Sequence, residues 1–132
     1  MKKASVLYIE DNPDNMTLVQ RVVEAAGAAF IGSNTGKEGL RLAAALEPDL
    51  ILLDINLPDI DGYTVARQMR SSGAPYLVYV PIIAVTANAL RGEADKVLSA
   101  GCDVYMSKPI NIRELRARIE AFLEIAHSGD RG

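Results

Sequence analysis

Four short apolar runs in this chain each end in polar residues that could do chemistry together. Leu7-Tyr8-Ile9 is followed by Glu10-Asp11, Leu50–Leu53 by Asp54, Ile82–Val85 by Thr86, and Val104–Met106 by Ser107-Lys108-Pro109. Brought to one place, Glu10, Asp11 and Asp54 would repel one another, and each would resist ionising unless a cation lay among them. Mg2+ suits such a set, because it takes oxygen ligands in octahedral geometry and keeps several waters. Lys108 adds a mobile point charge for a phosphate oxygen or a carboxylate, and Thr86 adds a hydroxyl donor. A nucleophilic carboxylate, a metal pocket, an ammonium and a hydroxyl are what in-line phosphoryl transfer to an aspartate requires. Singly, each residue has a plain structural use. Asp54 could be a loop acid, Glu10 and Asp11 could favour a following helix through its dipole, Lys108 could be solvated, and Thr86 could simply end a strand.

The elements that must position these groups alternate along the chain. Apolar runs at Val6–Ile9, Ala29–Gly32, Leu50–Leu53, Ile82–Val85 and Val104–Met106 are separated by amphipathic stretches, the mark of an α/β protein with a parallel sheet. The third and fourth runs are apolar on both faces, as central strands covered by helices should be. Asn12-Pro13 reads as a cap with proline at the first helical position, and Gly27 closes that helix. Leu18, Val19, Val22, Val23 and Ala26 form its inner stripe. Thr35 with Glu38 reads as a capping box, Asp61 as the next cap, and Asn111 with Glu114 as the start of the last helix. Leu115, Ile119, Phe122 and Leu123 are the inner face of that helix. Another helix follows Thr86 and stops at Gly101. Ser71–Val80 reads as the longest irregular piece, with enough apolar content to lie against the body. The result is (βα)5 in one domain over residues 1–126, with a polar tail at 127–132. Right-handed crossovers allow few open-sheet orders. In a doubly wound flavodoxin-like order 2-1-3-4-5, ligands bind beyond the carboxyl ends of strands one and three, where Glu10, Asp11 and Asp54 fall.

Bulk properties narrow the function classes. The 132 residues are 49% hydrophobic with a net charge of −3, which disfavours a general nucleic-acid or anionic-membrane surface. No apolar run approaches the roughly 20 residues that span a bilayer. The single cysteine, Cys102, cannot form an internal disulfide, in keeping with a reducing, cytoplasmic setting. It reads as a small buried residue. His127, the single histidine, reads as a solvated tail residue, so histidine-dependent catalysis and multi-histidine metal sites have little to build on.

The segments Leu7-Tyr8-Ile9-Glu10-Asp11-Asn12, Leu52–Gly62, Ile83-Ala84-Val85-Thr86-Ala87 and Ser107-Lys108-Pro109 together resemble the receiver domain of bacterial two-component response regulators, from about Ser5 to Leu123. The resemblance implies that Asp54 accepts a phosphoryl group from a histidine kinase or a histidine phosphotransfer protein. It implies that Asp11, Asp54 and the Asn56 carbonyl bind Mg2+, with Glu10 acting through water. It implies that Lys108, Thr86 and Ala87 hold the phosphoryl group, and that the Lys108-Pro109 bond is cis. The positions of Asn56 and Asn88 bear on phosphoryl lifetime in the family. On phosphorylation Thr86 would move and Tyr105, otherwise a half-buried strand tyrosine, would rotate inward. That would reshape the face made by the helix after strand four, strand five and the last helix. With no output module in the sequence, action through a downstream protein partner or onward phosphotransfer is expected, as a monomer or a phosphorylation-dependent dimer. The run Asp11–Met16 is similar to stand-alone receivers of cell-cycle type and to receivers of hybrid histidine kinases, so an excised module is the alternative. Met1 and the tail favour a separate protein.

Two rival classes share parts of this pattern. An aspartate-nucleophile phosphatase of the haloacid-dehalogenase type would want an aspartate where Asn56 stands. A flavodoxin-like FMN carrier would want a Ser/Thr/Gly-rich loop after strand one, where Glu10-Asp11 would repel phosphate. The sequence is expected to encode a signalling switch that acts on itself and is not an enzyme of metabolism.

Overall fold

A computed structural model describes residues 3–87 and 93–124. Five parallel strands, β1 (Ser5–Ile9), β2 (Ala29–Ser33), β3 (Leu50–Asp54), β4 (Ile82–Thr86) and β5 (Val104–Ser107), form one sheet in the order β2-β1-β3-β4-β5. The expected order is therefore the observed one. Each strand runs one residue or so beyond its apolar core, so Asp54 and Thr86 are the last residues of their strands. Leu53 pairs in register with Ile9 and with Ala84, which sets Asp54 beside Val85 and within one residue of Glu10. A one-residue slip would turn every such side chain to the opposite face.

Strand alternation divides the core into two layers. Leu7, Ile9, Ile51, Leu53, Ile82 and Ala84 face one layer, and Val6, Tyr8, Leu50, Leu52, Ile83, Val85 and Met106 face the other. Every residue of β3 and β4 is buried, as expected of central strands covered on both sides. The second layer is closed by α1 (Pro13–Ala25), through Val19, Val22 and Val23, and by α6 (Ile112–Leu123), through Leu115 and Ile119. Phe122 and Leu123 are only partly buried there. The first layer is closed by α2 (Gly36–Leu46), α3 (Gly62–Arg70) and α5 (Glu93–Ser99).

The caps read from the sequence are present. Asn12, Thr35, Asp61 and Asn111 each accept a backbone N–H three residues on, and Pro13 occupies the first turn of α1. Gly27 follows α1 with φ at +91°, a conformation that favours glycine. The box at Thr35 is half made, because the Glu38 carboxylate pairs with Arg41. Cys102 is buried, and burial pushes its thiol up to about 11.

One expectation is corrected. The stretch Ser71–Val80 is not irregular throughout, since Pro75–Tyr79 forms a short helix, α4. Leu77 and Val80 bury themselves, whereas Tyr79 is 82% exposed. Pro75 starts the turn with its fixed φ, and Arg70 finishes it. The Arg70 guanidinium donates to the carbonyls of Leu77 (3.0 Å), Val78 (3.1 Å) and Val80 (2.7 Å). It also donates to the Gly101 carbonyl (2.9 Å) and to Asp103 Oδ2 (3.1 Å). Asp103 Oδ2 in turn accepts the N–H of Ile82, the first residue of β4. A distant side chain thus caps α4 and ties α3, α4, β4 and the approach to β5 together.

Arg70→Ala leaves several carbonyls without that donor and should cost roughly 3 kcal/mol of stability. Arg70→Lys should recover only a minor part, because an ammonium cannot span the planar fork. Denaturant unfolding of the three proteins measures both effects.

Candidate functional site

The carboxyl ends of β1, β3, β4 and β5 converge at one rim. Glu10 and Asp11 follow β1, where the Glu10 N–H is held by the Ser33 carbonyl of β2 (2.9 Å). One oxygen from each of Glu10, Asp11 and Asp54 lies within 4.8 Å of the others, with Glu10 and Asp54 each 1% exposed and Asp11 open to solvent. Lys108 comes from beyond β5, its N–H held by the Thr86 carbonyl (2.8 Å). Its Nζ stands 3.1 Å from Glu10 Oε1 and 3.3 Å from Asp54 Oδ1. The Lys108-Pro109 bond is cis.

The two buried acids sit in different environments. Burial opposes ionisation of Glu10, but hydrogen bonds from Tyr8 and Lys108 and from the Asn12 N–H outweigh it and hold the carboxyl below its usual range. Asp54 has fewer donors. Burial first, and then the Glu10 charge, push it up to about 6 from its ordinary 3.8 against the pull of Lys108 and the Asn56 N–H. Burial disfavours the Lys108 ammonium, yet Glu10 and Asp54 together hold it above its usual value. Two buried anions around one cation remain a net negative site, and the third acid adds to it. Such a set of hard oxygen donors fits a divalent cation that keeps part of its water.

The remaining candidates sit around this centre. Asn56 is exposed, and its N–H donates to Asp54 Oδ1 at 3.2 Å. Thr86 is buried at the end of β4, and Ala87 beyond it is exposed. Tyr105 is half-buried and packs against the first core layer, opposite Ala84 in register. Alternation puts Thr86 and Tyr105 on one face of the sheet and Tyr8, Glu10 and Asp54 on the other. Asn88, His127 and the tail at 127–132 lie outside the described residues.

Three features of the site went unnoticed in the sequence. Tyr8 donates its hydroxyl to Glu10 Oε1 at 2.7 Å, and Asn15 Nδ2 approaches the same oxygen at 3.4 Å. Asp59, in the segment after β3, accepts the N–H groups of Gly36 (2.8 Å) and Lys37 (2.9 Å), which ties that segment to the start of α2. Gly62 opens α3 so close to the strand end that a Cβ there would lie 2.6 Å from the Asp54 carbonyl oxygen. The tyrosine two residues before Glu10, on the same strand face, was the one readable signal among them.

Comparison with known proteins agrees with this geometry. The family model described as the response regulator receiver domain matches residues 6–120. The polar-differentiation response regulator DivK of Brucella ovis is 39% identical over 119 residues, covering 90% of this chain and 95% of DivK. Among solved structures, the receiver domain of the sensor histidine kinase PA1611 from Pseudomonas aeruginosa, with magnesium coordinated in its active-site cleft, is 33% identical. It has a TM-score of 0.83 and covers 93% of this chain and 99% of its own. A two-component response regulator from Clostridium difficile is 26% identical with a TM-score of 0.84, covering 92% and 97%. Neither the phosphatase nor the flavin-carrier reading is favoured by these matches.

The raised Asp54 value has a consequence for stability. In metal-free protein the folded state holds the Asp54 proton more tightly than the unfolded chain, so its contribution is present below about pH 4 and lost as pH rises through about 6. Ionised Asp54 then opposes folding by an amount on the order of 2–3 kcal/mol. Asp54→Asn should melt several degrees higher than wild type at pH 7 without Mg2+, and the difference should shrink toward pH 4. Thermal melts across that range measure it.

Proposed function

The chain belongs to the response regulator receiver domain family and works in two-component phosphorelay signalling, and on that premise we propose that Asp54 is its phosphoacceptor. The observation that carries this reading is the meeting of Glu10, Asp11 and Asp54 oxygens within 4.8 Å of one another, with Lys108 Nζ bridging the two buried acids. A carboxylate oxygen of Asp54 attacks the phosphorus of a phosphohistidine donor. The new P–O bond forms as the P–N bond breaks, and the electron pair returns to the imidazole nitrogen. Water later attacks the same phosphorus, releasing inorganic phosphate and restoring the carboxylate.

Asp11, Asp54 and the Asn56 carbonyl would hold Mg2+, with Glu10 acting through water. The ion supplies positive charge that lets the acids coexist and neutralises phosphoryl oxygens. Lys108, already between Glu10 and Asp54, is placed to follow negative charge from the carboxylate onto a phosphoryl oxygen. Thr86 offers its hydroxyl from the next strand end, and Ala87 lies directly after it. The cluster acts on its own Asp54, which suits a switch acting on itself.

Receiver domains of response regulators engage histidine kinases and downstream partners. For this chain the donor is a kinase or a histidine phosphotransfer protein. The output runs through Thr86 and Tyr105, whose shared sheet face supports a coupled movement toward the face formed by α5, β5 and α6. Phosphorylation need only shift the population of two arrangements of that face. No described helix is long and apolar enough to cross a membrane. A cytoplasmic setting accords with such a donor.

Incubation with Mg2+ and acetyl phosphate should add one phosphoryl group to the wild-type protein and none to Asp54→Ala, as read by intact mass. Equal labelling of both proteins would overturn the assignment. Thr86→Ala should still be phosphorylated, but its affinity for an output partner should no longer depend on phosphorylation. An unchanged dependence would remove Thr86 from the switch.

A further inference from the structure

Tyr8 fills a core position that an aliphatic side chain or a phenylalanine would fill with no hydroxyl to satisfy. It is wholly buried in mid-sheet, between Gly32 of β2 and Leu52 of β3, within the layer closed by α1 and α6. A buried phenol needs a hydrogen-bond partner. Its partner here is the site itself, because Glu10 stands two residues on and projects from the same face.

Four donors surround the Glu10 carboxylate. Oε1 accepts Tyr8 Oη at 2.7 Å, Lys108 Nζ at 3.1 Å and Asn15 Nδ2 at 3.4 Å, and Oε2 accepts the Asn12 N–H at 3.2 Å. These donors differ in stiffness. Lys108 is a flexible ammonium that also reaches Asp54 at 3.3 Å. Tyr8 is a neutral donor on a ring with two side-chain torsions, locked by the core around it. The Tyr8 bond is the shortest of the four, and among the three side-chain donors Tyr8 alone is wholly buried.

We propose that Tyr8 is a positioning residue for the divalent-cation site. Its hydroxyl pins the Glu10 carboxylate so that Lys108 stays shared between Glu10 and Asp54. Without the hydroxyl, Glu10 loses its rigid donor and draws the ammonium to itself. That withdraws Glu10's charge from the cation site and Lys108 from Asp54. The inference rests on reading Glu10, Asp11 and Asp54 as the Mg2+ set, and it adds a core residue that controls how that set is held.

Calorimetric Mg2+ titration of wild type, Tyr8→Phe, Glu10→Gln and the double variant tests it. Tyr8→Phe should weaken Mg2+ binding about 10-fold, the usual loss when a supporting hydrogen bond to a metal-site group is removed. In the Glu10→Gln background the same change should have little further effect, because Tyr8 acts through Glu10. In the wild-type protein the Tyr8 ring carbon bearing the hydroxyl should shift in NMR spectra along the same Mg2+ binding curve, which needs no variant to fold. An unchanged Kd in Tyr8→Phe, an equal loss in both backgrounds, or a Tyr8 resonance silent to Mg2+ would each overturn the proposal. Failure of the wild-type protein to bind Mg2+ at all would instead overturn the metal site, and this inference with it.

Discussion

Two carboxylates buried side by side at the end of a sheet, with one ammonium between them, set the terms for the rest of this molecule. Glu10 and Asp54 each occupy a place where water scarcely reaches, and the Glu10 charge makes Asp54 harder to ionise. Lys108 relieves part of that repulsion, and the donors around Glu10 relieve more of it on one side than on the other. The imbalance leaves Asp54 as the less satisfied acid. Charge that is poorly compensated at rest is the charge a cation at the rim would relieve most. The parallel sheet makes this possible, because it delivers the ends of four strands to one rim and buries everything behind them.

The fold was legible because its signals are local and redundant. Leu50–Leu53 and Ile82–Val85 are apolar on both faces, and both became fully buried central strands. Asn12-Pro13, Thr35, Asp61 and Asn111 mark helix starts through side chains that bond three residues ahead, and sequence spacing shows that directly. The rim was legible for a related reason. A strand end fixes where a residue lies along the sheet, so acids and a lysine at successive strand ends must meet once the strand order is known.

Features that depend on distant pairing were not legible. The short helix at Pro75–Tyr79 is completed by Arg70, which precedes it in another helix, and a scan for local caps cannot see that donor. The end of α2 falls at Glu47 with φ at +48°, where no glycine announces it. Asp59 makes its two bonds to the start of α2, more than 20 residues away in the chain, and nothing local announces them. Tyr8 passed as one more apolar strand residue, because its volume belongs to the core and only its hydroxyl belongs to the site.

Gly62 shows how little polarity is needed to influence the chemistry. Helix α3 starts directly against the backbone of Asp54 and Ile55, at a separation that any side chain would force open. Position 62 therefore sets the distance between a helix and the Asp54 strand end through bare backbone, with no charge or hydrogen-bonding side chain of its own. A methyl group there would act as a wedge, passing its displacement along the strand end into the placement of the acid. The constraint is one of closeness alone, since nothing larger than hydrogen fits where the helix meets the strand end.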